Sequence, residues 1–141
     1  MLDSQYMKDL LQSLNDGGYV GVKNDSLWHQ FVGDDDDQQG QAHKFVYHMD
    51  ELYGAGLMRQ RSSQADGWGH CPTLSGNFDI ASVPLVLTPL GQELLEELNK
   101  PKGLERFKQA LRSAGATAGT EAVRYATGAM LSGGGAAAGL A

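Results

Sequence analysis

The chain is short of several things. It has one cysteine, Cys71, in 141 residues, which excludes an intramolecular disulfide and with it the stapled fold of a small secreted domain. It has no apolar run of the roughly 18 residues that a membrane-spanning helix needs; the nearest stretch, residues 125–141, is built mainly of Gly, Ala and Ser. Residues 1–14 read as an amphipathic helix rather than a basic segment followed by an apolar one, so no secretory signal is expected and a reduced cytoplasm is the expected compartment. Cations are scarce too, 11 Lys+Arg against 17 Asp+Glu for a formal charge of −6. That balance excludes indiscriminate affinity for nucleic acid, because phosphate neutralisation supplies most non-specific binding. A local basic contact stays open.

What is present is the material of one globular domain, with 41% hydrophobic and 20% charged residues. Glycine is abundant at 19, and Gly115, Gly119, Gly128, Gly133, Gly134, Gly135 and Gly139 crowd the last 27 residues. Charge divides near the same place. Residues 1–99 carry 5 cations and 15 anions, a net of −10, while residues 100–141 carry 6 cations and 2 anions, a net of +4.

Periodicity organises the rest. Leu2, Tyr6, Leu10, Leu11 and Leu14 recur as one face of a helix that stops at Asn15-Asp16-Gly17-Gly18. Tyr19-Val20-Gly21-Val22 reads as a short strand, and Asn24-Asp25-Ser26 as the cap of a short helix carrying Leu27, Trp28, Phe31 and Val32. Ala42, Phe45, Val46, Met49, Leu52 and Tyr53 line a long amphipathic helix. Asp34 to Asp37 precede it, where the partial positive charge of a helix start favours carboxylates. Residues 57–61 leave as a strand, and residues 62–82 read as an extended wing pinned by Trp68. Residues 83–87 return as a strand placed at a sheet edge by Pro84. Thr88 and Pro89 open a helix striped by Leu90, Leu94, Leu95 and Leu98. Leu104, Phe107 and Leu111 with Arg106, Lys108 and Arg112 make a further, basic helix.

This order of elements, with Tyr47 to Met58 as a helix running into a strand and Val86 to Leu95 as a strand running into a helix, resembles the bacterial winged helix-turn-helix regulators. More closely, the chain resembles an uncharacterised bacterial and prophage winged-helix domain family, which has a Tyr-His pair in that helix, an Ala-Gly-Leu turn and a Leu-Thr-x-x-Gly-x-Glu motif. Gln92 stands where the family motif has His, and Leu90 where it has Trp. The resemblance implies an α+β, mostly helical fold: a winged helix-turn-helix with a long wing loop over residues 1–99, a basic amphipathic helix packed on it over 100–113, and a Gly/Ala-rich helical or flexible tail over 114–141.

In that frame Gln39, His43, Lys44 and Tyr47 face outward from the recognition helix and, with Arg59 and Arg61 of the wing, are expected to contact DNA as part of a non-catalytic transcriptional regulator. The alternative is an acidic protein-binding winged helix, an inhibitor, DNA mimic or adaptor, in which Asp34, Asp35, Asp36 and Asp37 dock on a basic partner protein. The blander reading is a solvated polar face. No metal or other cofactor is expected: His43 and His48 point to different faces of one helix, and His70-Cys71 matches no zinc pattern. No nucleophile motif surrounds Cys71 or any serine, so Cys71 reads as a semi-buried thiol and Trp28 as core. In the tail, Ala114, Ala118, Ala122 and Ala126 recur every four residues beside Gly115 and Gly119. This is either a close-packing row that supports a homodimer or a flexible extension.

Overall fold

Asp3 starts the first helix by accepting a hydrogen bond from the Tyr6 N–H at 3.1 Å, a side-chain cap at the position where the backbone has no partner of its own. The computed structural model describes residues 2–33, 38–62, 66–72, 78–115 and 119–133. Helix α1 (Ser4–Asp16) buries Met7, Leu10, Leu11 and Leu14 as their spacing requires. Strand β1 (Val22–Lys23) is shorter than the sequence suggests. Tyr19 and Val20 are exposed instead, because Gly18 and Gly21 adopt positive φ and the Gly21 N–H closes a turn on the Gly17 carbonyl at 3.1 Å.

Helix α2 (Asn24–Phe31) has Lys23 at its cap, with no side-chain hydrogen bond there. Asn24, expected as part of the cap, turns inward and is fully buried. Its amide donates to the carbonyls of Trp68 at 2.9 Å and Ala81 at 2.6 Å, and its oxygen accepts from the Val83 N–H at 3.1 Å. Helix α3 (Gln38–Gly54) buries Ala42, Phe45, Val46, Met49 and Leu52. Phe45 is the centre of an aromatic cluster, with ring centroids 5.7 Å from Trp28, 6.3 Å from Phe31 and 5.8 Å from Trp68. Trp28 itself is half-buried at the rim of the core, whereas Trp68 is 3% exposed and pins its loop as expected.

Strand β2 (Met58–Gln60) follows, then an antiparallel pair of β3 (His70–Pro72) and β4 (Phe78–Ile80), then β5 (Pro84–Leu87). β5 lies between β1 and β2 and is antiparallel to both, with Val22 opposite Leu85 and Met58 opposite Leu87. Pro84 therefore belongs to the central strand rather than to an edge. It is tolerated as the strand's first residue, where its carbonyl still accepts from the Arg61 N–H at 2.8 Å.

Thr88 caps helix α4 (Pro89–Leu98), accepting from the Gly91 N–H at 3.1 Å. Leu90 is exposed, and Gly91 takes the inward place. A Cβ at Gly91 would overlap the Leu57 carbonyl oxygen, so the helix can lie against the start of β2 only with glycine there. Helix α5 (Gly103–Ser113) buries Phe107, and helix α6 (Gly119–Gly128), continued by a π-helical turn (Ala129–Gly133), buries Ala122, Val123 and Ala126. The small-residue row of the tail is thus packed within this chain at Ala122 and Ala126; Ala118 lies outside the described residues. The result is an α+β, mostly helical fold with a small three-stranded sheet.

Asn24→Ala leaves two carbonyls and one N–H without their partner, each buried group costing about 1–3 kcal/mol. A loss of about 3 kcal/mol in unfolding free energy is expected, read as a lower urea midpoint with an unchanged slope.

Candidate functional site

Helix α3 is held on two sides along its C-terminal half. On one side Thr120 of α6 donates to the Glu51 carboxylate at 2.7 Å, and Arg124 donates to the Gly54 carbonyl at 2.7 Å. On the other, the Trp68 indole N–H donates to Asp50 at 2.8 Å, the Tyr53 hydroxyl donates to Asp66, and the Gly67 N–H donates to the Tyr53 oxygen at 2.7 Å. Asp66 holds the Tyr53 phenol above its ordinary pKa. The last turns of α3, residues 50–54, are thus flanked on two sides.

The expected contact residues separate into two places. His43, Lys44 and Tyr47 line a groove of about 940 Å³ with the start of α1 and with Lys108 and Arg112 of α5. Arg59 and Arg61 line another, of about 610 Å³, with Tyr19, Gln92 and Glu93. Asp34 to Asp37 and the side chains of Gln39 and Cys71 lie outside the described residues.

In the first groove Lys44 forms a 3.0 Å ion pair with Asp3 and lies 4.6 Å from the centre of the Tyr6 ring. The hydrogen bond from the Tyr6 N–H, with Lys44 assisting, holds Asp3 below the usual carboxylate range. His48, only 1% exposed, stands behind them. Its Nε2 accepts from the Asp3 N–H at 2.9 Å, and its Nδ1 lies 2.8 Å from the Lys44 carbonyl. Those two partners require the neutral ring protonated on Nδ1. Burial pushes the imidazole below its ordinary pKa, against the opposing influence of the Lys44 carbonyl and the Asp3 charge. Beside it the Tyr6 hydroxyl is buried without a hydrogen-bond partner among the described residues, and burial raises its pKa to about 12.

The sheet supplies the second arrangement. Leu85 is buried and faces Val22 and Gln60, so the alternate residues Lys23, Pro84, Val86 and Arg59 share the other face, and Arg61 continues it beside Pro84. Arg59 donates to the carbonyls of Gln60 at 2.9 Å and Arg61 at 3.0 Å, and Arg61 donates to the Val20 carbonyl at 3.1 Å. Among the described residues, Lys23, Arg59 and Arg61 have no carboxylate partner. Tyr19, fully exposed, stands at the edge of this face. Sequence reading reached Arg59 and Arg61 but missed Lys23 and Tyr19. The signal was the two-residue alternation of β1, which only the register with β5 connects to β2.

Among the described residues no group of three His, Cys, Asp or Glu side chains is placed to hold a metal ion, and no helix is long and apolar enough to cross a membrane. No protein-family model, curated protein or solved structure matches the chain.

His48 is neutral when folded and has a lowered pKa, so the unfolded chain binds the proton more readily. Its contribution is complete above about pH 6.5 and is lost as pH falls toward the lower folded value. His48→Gln removes this titration. A urea midpoint that drops between pH 7.5 and pH 5 in the parent and drops less in the variant is the expected result.

Proposed function

We propose that the chain is a non-catalytic winged-helix module that binds nucleic acid through the outer face of its sheet, in the manner of a phage or prophage regulator. The succession α1, β1, α2, α3, β2, β5, with β5 between its two partners, supports the winged-helix reading. The observation that carries the function is the placement of Lys23, Arg59 and Arg61 on one face, without carboxylate partners among the described residues, next to the exposed Tyr19. Three of the five cations in the acidic residues 1–99 are gathered there. Cations on a sheet neutralise phosphates, and a solvent-exposed phenol stacks on a base without regard to sequence. The two arginines are pre-oriented by their backbone carbonyls, which lowers the entropy lost on contact. Helix α3 contributes at most its N-terminal half to this binding.

The second reading, capture of a basic protein by the acidic body, is favoured by the flanked α3 and by the excess of 15 anions over 5 cations in residues 1–99. Changing Asp34 to Asp37 together to Asn separates the two. It raises nucleic-acid affinity several-fold under the first reading and abolishes capture of the basic partner under the second.

Fluorescence anisotropy with DNA fragments, titrated at salt concentrations from about 50 to 200 mM, tests the proposal directly. Each phosphate contact contributes about 0.7–0.9 to the slope of log affinity against log salt. The triple variant Lys23→Ala/Arg59→Ala/Arg61→Ala is therefore expected to lose about 2 to 3 from that slope. Absence of any salt-sensitive binding by the unsubstituted chain would falsify the reading.

A further inference from the structure

We infer that the groove between α1, α3, α5 and α6 is a binding site for a small organic phosphate monoester, separate from the sheet face and sharing no residue with it. Three observations converge there. First, Ser4 lines the groove, is only 6% exposed and has no hydrogen-bond partner among the described residues for its side chain. Its hydroxyl still reaches solvent, since the buried hydroxyls without a partner among the described residues are those of Tyr6 and Thr127, and it is open to donate to a phosphate oxygen.

Second, the charge is uncompensated. Lys44 and Asp3 neutralise each other at 3.0 Å. Lys108 is held only by a 3.7 Å contact to the exposed Glu105, a surface pair of little energetic weight. Arg112 has no carboxylate partner among the described residues. The α5 side therefore offers two cations, one with the planar donor set suited to phosphate. The Glu51 carboxylate, beside Gly119, accepts from the Thr120 hydroxyl at 2.7 Å.

Third, the groove has room for more than an inorganic anion. A Cβ at Gly119 would stand 2.5 Å from the Glu51 carboxylate and 2.9 Å from the Tyr47 hydroxyl, so glycine there lets these two side chains of α3 pack closely against α6 at the groove's edge. The volume of about 940 Å³ lies at the upper end of small-molecule sites, more than a bare phosphate fills. Leu2 and Leu111 on the lining give an organic group apolar surface. A dianionic phosphate set between Ser4, Lys108 and Arg112, with its organic part toward the leucines and the Tyr47 ring, satisfies all three features.

The test is isothermal titration of the full chain with a nucleoside 5′-monophosphate, with the unphosphorylated nucleoside as control. Saturable binding of the monophosphate, at least tenfold tighter than the nucleoside, is expected. Lys108→Ala/Arg112→Ala should weaken it at least tenfold and Ser4→Ala several-fold. The circular dichroism melting curves of the variants should overlay that of the parent, which separates a lost site from a lost fold. No saturable binding, equal binding of the nucleoside, or undiminished binding by the well-folded double variant would overturn the assignment. Lys23, Arg59 and Arg61 are untouched in these variants, so the outcome here and the salt dependence of DNA binding fail or succeed independently.

Discussion

The side chain of Asn24 holds the irregular half of the molecule to the regular half. The segment between β2 and β5 places backbone carbonyls and an N–H against the core, where neither a ladder nor a helix serves them. One fully buried amide, rooted in the first turn of α2, serves three of them, at Trp68, Ala81 and Val83. Buried backbone groups in globular proteins are almost always paired, and here the pairing fixes where the loop can lie. With the loop fixed, Trp68 reaches both the Phe45 ring and the Asp50 carboxylate, and β5 arrives in register between β1 and β2. Gly69 sits against the same amide, so the approach is too close for a side chain.

The helices were legible in the sequence because their apolar spacing is strong and local. Leu10, Leu11 and Leu14, or Leu94, Leu95 and Leu98, announce their buried faces without reference to anything distant. What local reading could not reach was set by partners far along the chain. Pro84 looks like an edge residue until β1 and β2 are both seen to flank it. Asn24 looks like a cap until Ala81 and Val83 appear beside it. Leu90 fits a stripe of leucines, but the Leu57 carbonyl admits only Gly91 on that side. The candidate site shows the same division. Arg59 and Arg61 were apparent as cations on a strand, whereas their association with Lys23, and their distance from the groove occupied by His43, Lys44 and Tyr47, follow from sheet register and helix packing.

The distribution of charge takes on a different meaning in three dimensions. The basic C-terminal region does not extend a positive face from the sheet. Arg106 joins Lys100 in holding Glu97, at 3.1 and 2.5 Å, and Arg124 reaches the end of α3. Lys108 and Arg112 turn to the groove at the start of α1. Five of the six cations of the tail are thus divided between structure and one concavity, and three of the five in the body, Lys23, Arg59 and Arg61, are gathered on the sheet. A single net charge conceals two basic surfaces within an acidic molecule.

The clasp of α6 on α3 also orders events in time. Its two polar links join residues 69 and 70 positions apart, while the sheet and the Asn24 ties are complete once residue 87 has been made. Closing so long a loop costs chain entropy before any contact repays it. The body is therefore equipped to assemble first on a growing chain, with the last helix docking onto a surface already formed.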